Sequence, residues 1–270
     1  MRRYKAGVFL ALSFAISWAA AFVSYYLSQQ HRDLAAQIAA TFMIGGPGLA
    51  GIVCAVLFER GHRAAALGLR FKANWWWLLA YLTGILFSVI APAAAVFVGK
   101  GAFTAPRSAP QFALAWLLIN PAVQIVLATV TEELGWRGYL YGLWRPFGFW
   151  RYSLVTGLIW GVWHVPGIVL FKVNYPDHPW LGAAAFVPYC MLFAPVVTLM
   201  RDKGKSVITG GIVHGAANST DLASGMVVKS PSDLWQGDTG LGGVVSLVAS
   251  LVLVALVRRR EPQSMETNDA

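Results

Sequence analysis

"TVTEELGWRGYLYG", Thr129 to Gly142, sets Glu132, Glu133 and Arg137 among aromatic and aliphatic residues. The chain around it is strongly apolar. Of 270 residues, 57% are hydrophobic and 12% are charged, against roughly 25% charged in an average soluble domain. Apolar runs of about twenty residues recur, the length that crosses a hydrocarbon core about 30 Å thick. The expected fold is all-α, a polytopic membrane helical bundle, and it places the three ionisable groups at membrane depth. There a charged side chain costs at least about 2.5–3.5 kcal/mol and as a rule faces a protein interior. One short stretch thus points both to the fold class and to the site.

Working outward, eight spans are expected: Ala6–Leu27, Ala35–Phe58, Trp75–Val98, Phe112–Trp144, Tyr152–Phe171, Trp180–Met200, Val207–Val228 and Leu241–Val257. They read as one transmembrane domain over residues 1–260, since such spans must bury one another's polar groups. Residues 261–270 form a polar tail, expected to be disordered. The basic start and the triplet Ala19-Ala20-Ala21 resemble a signal peptide. The apolar run continues past the triplet to Leu27, so the first span is expected to be retained. Cys54 and Cys190 lack metal-ligand spacing and read as free buried thiols.

A formal charge of +9 could indicate a nucleic-acid partner, but the basic residues are spread through short loops. Membrane orientation explains them better. One side carries Arg2, Arg3, Lys5, Arg60, Arg63, Arg70, Lys72, Arg145, Arg151, Arg201, Lys203, Lys205 and Arg258–Arg260. The other carries Arg32, Lys100, Arg107, Lys172 and Lys229. By the positive-inside rule both termini are expected to be cytoplasmic, with Trp75–Trp77 in the aromatic belt on that side. The partner this charge pattern implies is the lipid bilayer, not nucleic acid.

Among acidic residues, only Glu132, Glu133 and Asp221 fall within these spans, and among histidines only His164 and His214. Depth follows from 1.5 Å of rise per helical residue. Glu132, His164 and Asn218 each lie roughly 20 Å along their helices from the cytoplasmic anchors Arg145, Arg151 and Lys205, and His214 about 14 Å from Lys205. Three helices therefore bring polar groups to a similar level, which defines a candidate site. The alignment makes Phe112–Trp144 too long for one straight crossing, and Pro121 offers a break that would separate a short outer segment.

Spacing adds a second constraint. Glu133 and Arg137, four apart, share a helical face and can pair, while Glu132 turns about 100° away toward another neighbour. His214 and Asn218 share a face too, as do Trp160 and His164, with Pro166 able to kink the helix just beyond. Plainer readings exist for each. Glu133–Arg137 can be an ion pair that holds the bundle, a histidine can be an interhelical hydrogen-bond partner, and Asn218 can bridge two helices. Asp221 reads as structural and Trp160 as packing that orients His164. Glu132, without a second cation nearby, and the two histidines at matching depth favour function.

The constellation resembles the CPBP (CAAX protease and bacteriocin-processing, or Abi) family, whose best-known members are type II CAAX prenyl endopeptidases. The family pattern is Glu-Glu-x-x-x-Arg, then Phe-x-x-x-His, then His-x-x-x-Asn or Asp. Here it reads "EELGWR" from Glu132 to Arg137, "WGVWH" from Trp160 to His164 and "HGAAN" from His214 to Asn218. The resemblance covers roughly residues 109–223, and departs from the pattern in Trp160, where the family usually has Phe. It implies an intramembrane endopeptidase acting on a peptide or protein substrate, prenylated or membrane-embedded. The implied catalytic set is Glu132, Glu133, Arg137, His164, His214 and Asn218. Glu132 would be the general base, and His164 would hold the water. Arg137 would neutralise Glu133, while His214 and Asn218 would stabilise an oxyanion.

No cofactor is expected. The alternative is a zinc-dependent version of the same protease, with Glu132, His164 and His214 as candidate ligands, although no His-Glu-x-x-His signature occurs. An ion-coupled transporter also places Glu, Arg and His at mid-membrane, but repeated halves are not evident. A non-catalytic bacteriocin self-immunity or scaffold protein is the third class. If the chain is bacterial, the expected location is the plasma or inner membrane.

Overall fold

The computed structural model describes residues 1–104, 110–237 and 239–259. The polar tail expected over 261–270 lies outside them. Among the described residues ten α-helices follow in chain order: α1 Arg2–Gln29, α2 Asp33–Phe58, a single turn α3 Arg63–Ala66, α4 Trp75–Phe97, α5 Pro110–Ala128, α6 Tyr141–Trp144, α7 Phe149–Phe171, α8 Pro179–Gly204, α9 Val207–Val227 and α10 Leu241–Arg259. Between α5 and α6 the backbone is a π-helix, Thr129–Leu140. Among the described residues five helices, α1, α2, α4, α7 and α8, are long and apolar enough to cross a membrane, and the protein is an integral membrane protein. Two of the other expected spans differ for a visible reason: α9 carries His214, Asn218 and Asp221, and the fourth span is divided among α5, the π-helix and α6.

Helices α1 and α2 form an antiparallel hairpin. Lys5 Nζ pairs with Glu59 Oε1 at 2.7 Å at one end, and Ser24 Oγ donates to the Ala36 carbonyl at 2.8 Å near the other. The buried face of α1 is built from small residues, including Ser13, Ser17 and Ala21, which lets the two backbones approach as packing between apolar helices in lipid requires. The hairpin rests on the π-helix through α2, and α1 also touches α7, where Trp18 Nε1 donates to the Trp163 carbonyl at 3.2 Å. Helices α7 and α8 pair along their length. Helix α9 runs through the interior against α4, α5, α8 and the π-helix, while α10 closes α4 and α8.

Two details depart from the expected bundle. Helix α5 runs unbroken through Pro121, so the backbone changes eight residues later, at Thr129, rather than at the proline. Residues 102–103 and 228–229 form a short antiparallel ribbon, Ala102 opposite Lys229 and Phe103 opposite Val228. There the loops after α4 and α9 satisfy each other's backbone groups. Cys54 and Cys190 are free and buried, as expected.

Candidate active site

The π-helix is the platform, and local hydrogen bonding accounts for its place. Thr129 Oγ1 donates to the Ile125 carbonyl at 2.6 Å and Thr131 Oγ1 to the Leu127 carbonyl at 2.7 Å, back-bonds that bend a helix. Further along, donors from neighbouring helices bind its carbonyls. Tyr152 Oη donates to the Trp136 carbonyl at 2.6 Å, and Arg201 Nε donates to the Arg137 carbonyl at 3.1 Å. The i→i+5 ladder, rare and concentrated at functional sites, is thus supported from α7 and α8. Gly135 lets it lie directly on α2, because a Cβ there would strike the Pro47 carbonyl; Gly211 does the same for α9 against Thr129.

Glu133 and Arg137 are both fully buried and pair at 3.1 Å, Arg137 Nη1 donating to Glu133 Oε1. The same oxygen accepts from His214 Nδ1 at 2.9 Å. A carboxylate oxygen only accepts, so Nδ1 carries the proton and Nε2 is the atom left for other chemistry. Glu132 faces elsewhere. Its Oε2 accepts from the indole Nε1 of Trp160 at 2.6 Å, and its Oε1 has no partner among the described residues. His164, half-buried, donates from Nδ1 to the Trp160 carbonyl at 2.8 Å, which leaves Nε2 with its lone pair. Glu132 is tied to the two imidazoles through Trp160, which bonds its carboxylate and touches both rings.

Trp160 is the hub of the arrangement. The Arg137 guanidinium sits 4.5 Å from its ring centroid, a cation–π contact. The His214 and His164 rings meet its edges at 5.2 and 5.7 Å, and Phe193 stacks on it at 6.1 Å. The structure therefore brings Glu132, Glu133, Arg137, His164 and His214 into one cluster. Asn218, one turn past His214 on α9, is half-buried, and the neighbouring Ser219 accepts a bond from Asn120 at 3.0 Å. Asp221 lies apart, lining a polar pocket with Asp177, Lys229 and Asp233.

Trp160, Tyr152 and Arg201 were not among the expected site residues. Trp160 left a signal: an indole N–H in an apolar setting needs a partner, and Glu132 was the acceptor without one. Glu132, His164 and His214 would have to hold zinc through the atoms left over, Glu132 Oε1 and the two Nε2; among the described residues no group of three His, Cys, Asp or Glu side chains is arranged to hold a metal ion.

Comparison with known proteins agrees with the motif reading. Residues 113–220 match the family described as type II CAAX prenyl endopeptidase Rce1-like. CAAX prenyl protease 2 of Methanococcus maripaludis is 28% identical over 101 residues, covering 35% of this chain and 36% of that protein. The match spans just over a third of the relative's length. It is distant in sequence, and the matched family segment contains all six expected site residues together with Trp160. Residues 113–220 are accordingly similar to the Rce1-like type II CAAX prenyl endopeptidases, and they are set in an apolar multi-helix membrane protein.

Proposed function

We propose that the protein is an intramembrane endopeptidase of the CAAX prenyl protease type, in which Glu132 activates water for attack on a peptide carbonyl. The observation that carries this reading is the Glu132 carboxylate itself. One oxygen is held by the Trp160 indole, whose rings both imidazoles touch, while the other makes no hydrogen bond to the described residues, in a residue only 7% exposed. In this mechanism Glu132 Oε1 takes a proton from water, and His164 Nε2 accepts the water's other hydrogen bond and orients it. Arg137 offsets the charge of Glu133, which fixes His214. Because the His214 Nδ1–H is spent on Glu133, donation from Nε2 to the oxyanion requires the doubly protonated ring. Asn218 supplies a second donor from its amide. One preorganised donor of this kind lowers the barrier by about 3–4 kcal/mol.

The ionised groups then balance, Glu133 against Arg137 and Glu132 against His214, so the cluster carries no net charge within lipid. Loop charge supports eight crossings with cytoplasmic termini, with the site deep within the bundle. A peptide or protein substrate, prenylated or membrane-embedded, suits that placement, and in a bacterial cell the location would be the plasma or inner membrane. The test is cleavage of a farnesylated CAAX peptide by purified protein in liposomes, with and without a chelator. Product that persists under chelation supports the metal-free mechanism, and product lost with chelator and restored by zinc supports the zinc-dependent version. Failure to cleave any prenylated or membrane-embedded peptide would favour a self-immunity or transport role.

A further inference from the structure

We propose that Trp160 is a positioning residue for the base: its indole N–H fixes the Glu132 carboxylate so that Oε1 alone is presented to water. The inference rests on the reading of Glu132 as the general base, and goes beyond it by assigning a role to a side chain that the motif treats as aromatic bulk. Three observations carry it. The Nε1–Oε2 distance is 2.6 Å, at the short end for an N–H···O bond, as expected where the acceptor is an ionised carboxylate. Both partners are buried, Trp160 2% and Glu132 7% exposed, so water competes little for the bond. The indole is itself clamped by the Arg137 guanidinium on its face and by Phe193 and the His214 ring around it, so its donor direction is set before substrate arrives.

A phenylalanine here would keep an aromatic ring among the same neighbours, but it is smaller than the indole and would leave Glu132 without its donor. The carboxylate could then rotate, and both oxygens would share the role of base. Stability falls somewhat, because a buried acceptor loses its partner, and the effect on catalysis falls on turnover, since the indole does not bond the free oxygen and need not touch substrate.

The experiment compares wild type, Trp160→Phe and Glu132→Gln in liposomes, by steady-state cleavage of the farnesylated peptide and by ultraviolet resonance Raman difference spectra of the indole N–H. Trp160→Phe is expected to lower kcat about tenfold to a hundredfold, the size of one charge-assisted hydrogen bond, with KM close to wild type and a lowered unfolding midpoint that still leaves the protein folded at the assay temperature. The wild-type-minus-Trp160→Phe spectrum is expected to show a strongly hydrogen-bonded indole, and Glu132→Gln to weaken that band. Unchanged kcat in Trp160→Phe, a loss of kcat that only tracks loss of folded protein, or a difference band typical of a free N–H would each overturn the positioning role. Absence of cleavage by wild type would instead overturn the protease reading, and the spectra would still decide whether Trp160 holds Glu132.

Discussion

His214 and Glu133, 81 residues apart in the chain, meet at 2.9 Å on the carboxylate oxygen that Arg137 also binds. One buried acid thus joins α9 to the π-helix and fixes an imidazole beside Glu132. Three partners share this node, and removing any one leaves charge stranded in a dry interior. Glu133 Oε2 and two of the Arg137 nitrogens already lack protein partners.

Arg137→Met is expected to cost about 3–5 kcal/mol of stability, because it leaves Glu133 buried without its cation. Glu133→Gln combined with Arg137→Met should recover a large part of that loss, since neither member then remains as a lone charge. Unfolding midpoints in detergent for the single and double variants measure the coupling. Equal losses in both would show that the pair is not the source.

Gly135→Ala should cost about 1–3 kcal/mol by overpacking, because the new methyl meets the Pro47 carbonyl, backbone that has no rotamer to change. Gly167→Ala is the control: nothing lies within 4 Å of a Cβ there. The two variants, compared by thermal unfolding, separate the close approach of α2 to the π-helix from a general effect of alanine.

At the loop end of the bundle, His178 Nδ1 and Asp233 Oδ1 meet at 2.6 Å, and the backbone N–H groups of Asp177 and His178 donate to Asp233 Oδ2. Burial alone would raise the Asp233 carboxyl. The His178 contact and the two N–H donors outweigh it and hold the group below the usual carboxylate value. A depressed folded value means that the stabilisation is complete above the unfolded value of about 3.9 and is lost as pH falls from there through the folded one. Amide exchange of residues 174–178 should therefore accelerate below about pH 4 in wild type, and be fast and pH-insensitive in Asp233→Asn after correction for intrinsic rates. A profile in wild type that matches the variant would remove Asp233 as the latch.

How far the sequence reaches is clear from particular residues. Glu132, His164 and His214 could be brought together on paper because helical rise converts residue number into depth, and depth is what membrane helices share. Azimuth is not recoverable in the same way. Nothing in "HGAAN" says that His214 bonds Glu133 rather than Glu132. The π-helix also escapes, since periodicity rules assume a regular α-helical ladder and the donors that support this one, Tyr152 and Arg201, come from elsewhere in the chain. Pro121 reads as a breaker, yet α5 passes through it, because neighbouring helices can satisfy a freed carbonyl in a membrane bundle. Trp160 read as packing because an aromatic four residues before a histidine usually is. Its N–H mattered only once Glu132 was seen to face it.

The central claim is that the Glu132 carboxylate is the base. The most direct measurement is turnover of a farnesylated CAAX peptide by Glu132→Gln protein in liposomes, beside wild type and with the unfolding midpoint of each. Glutamine keeps the shape and can still face the Trp160 indole, but it cannot take the proton of water. The account predicts product from wild type and at least a thousandfold less from Glu132→Gln, roughly the weight of a general base, with unfolding unchanged. Wild-type turnover by folded Glu132→Gln would contradict it.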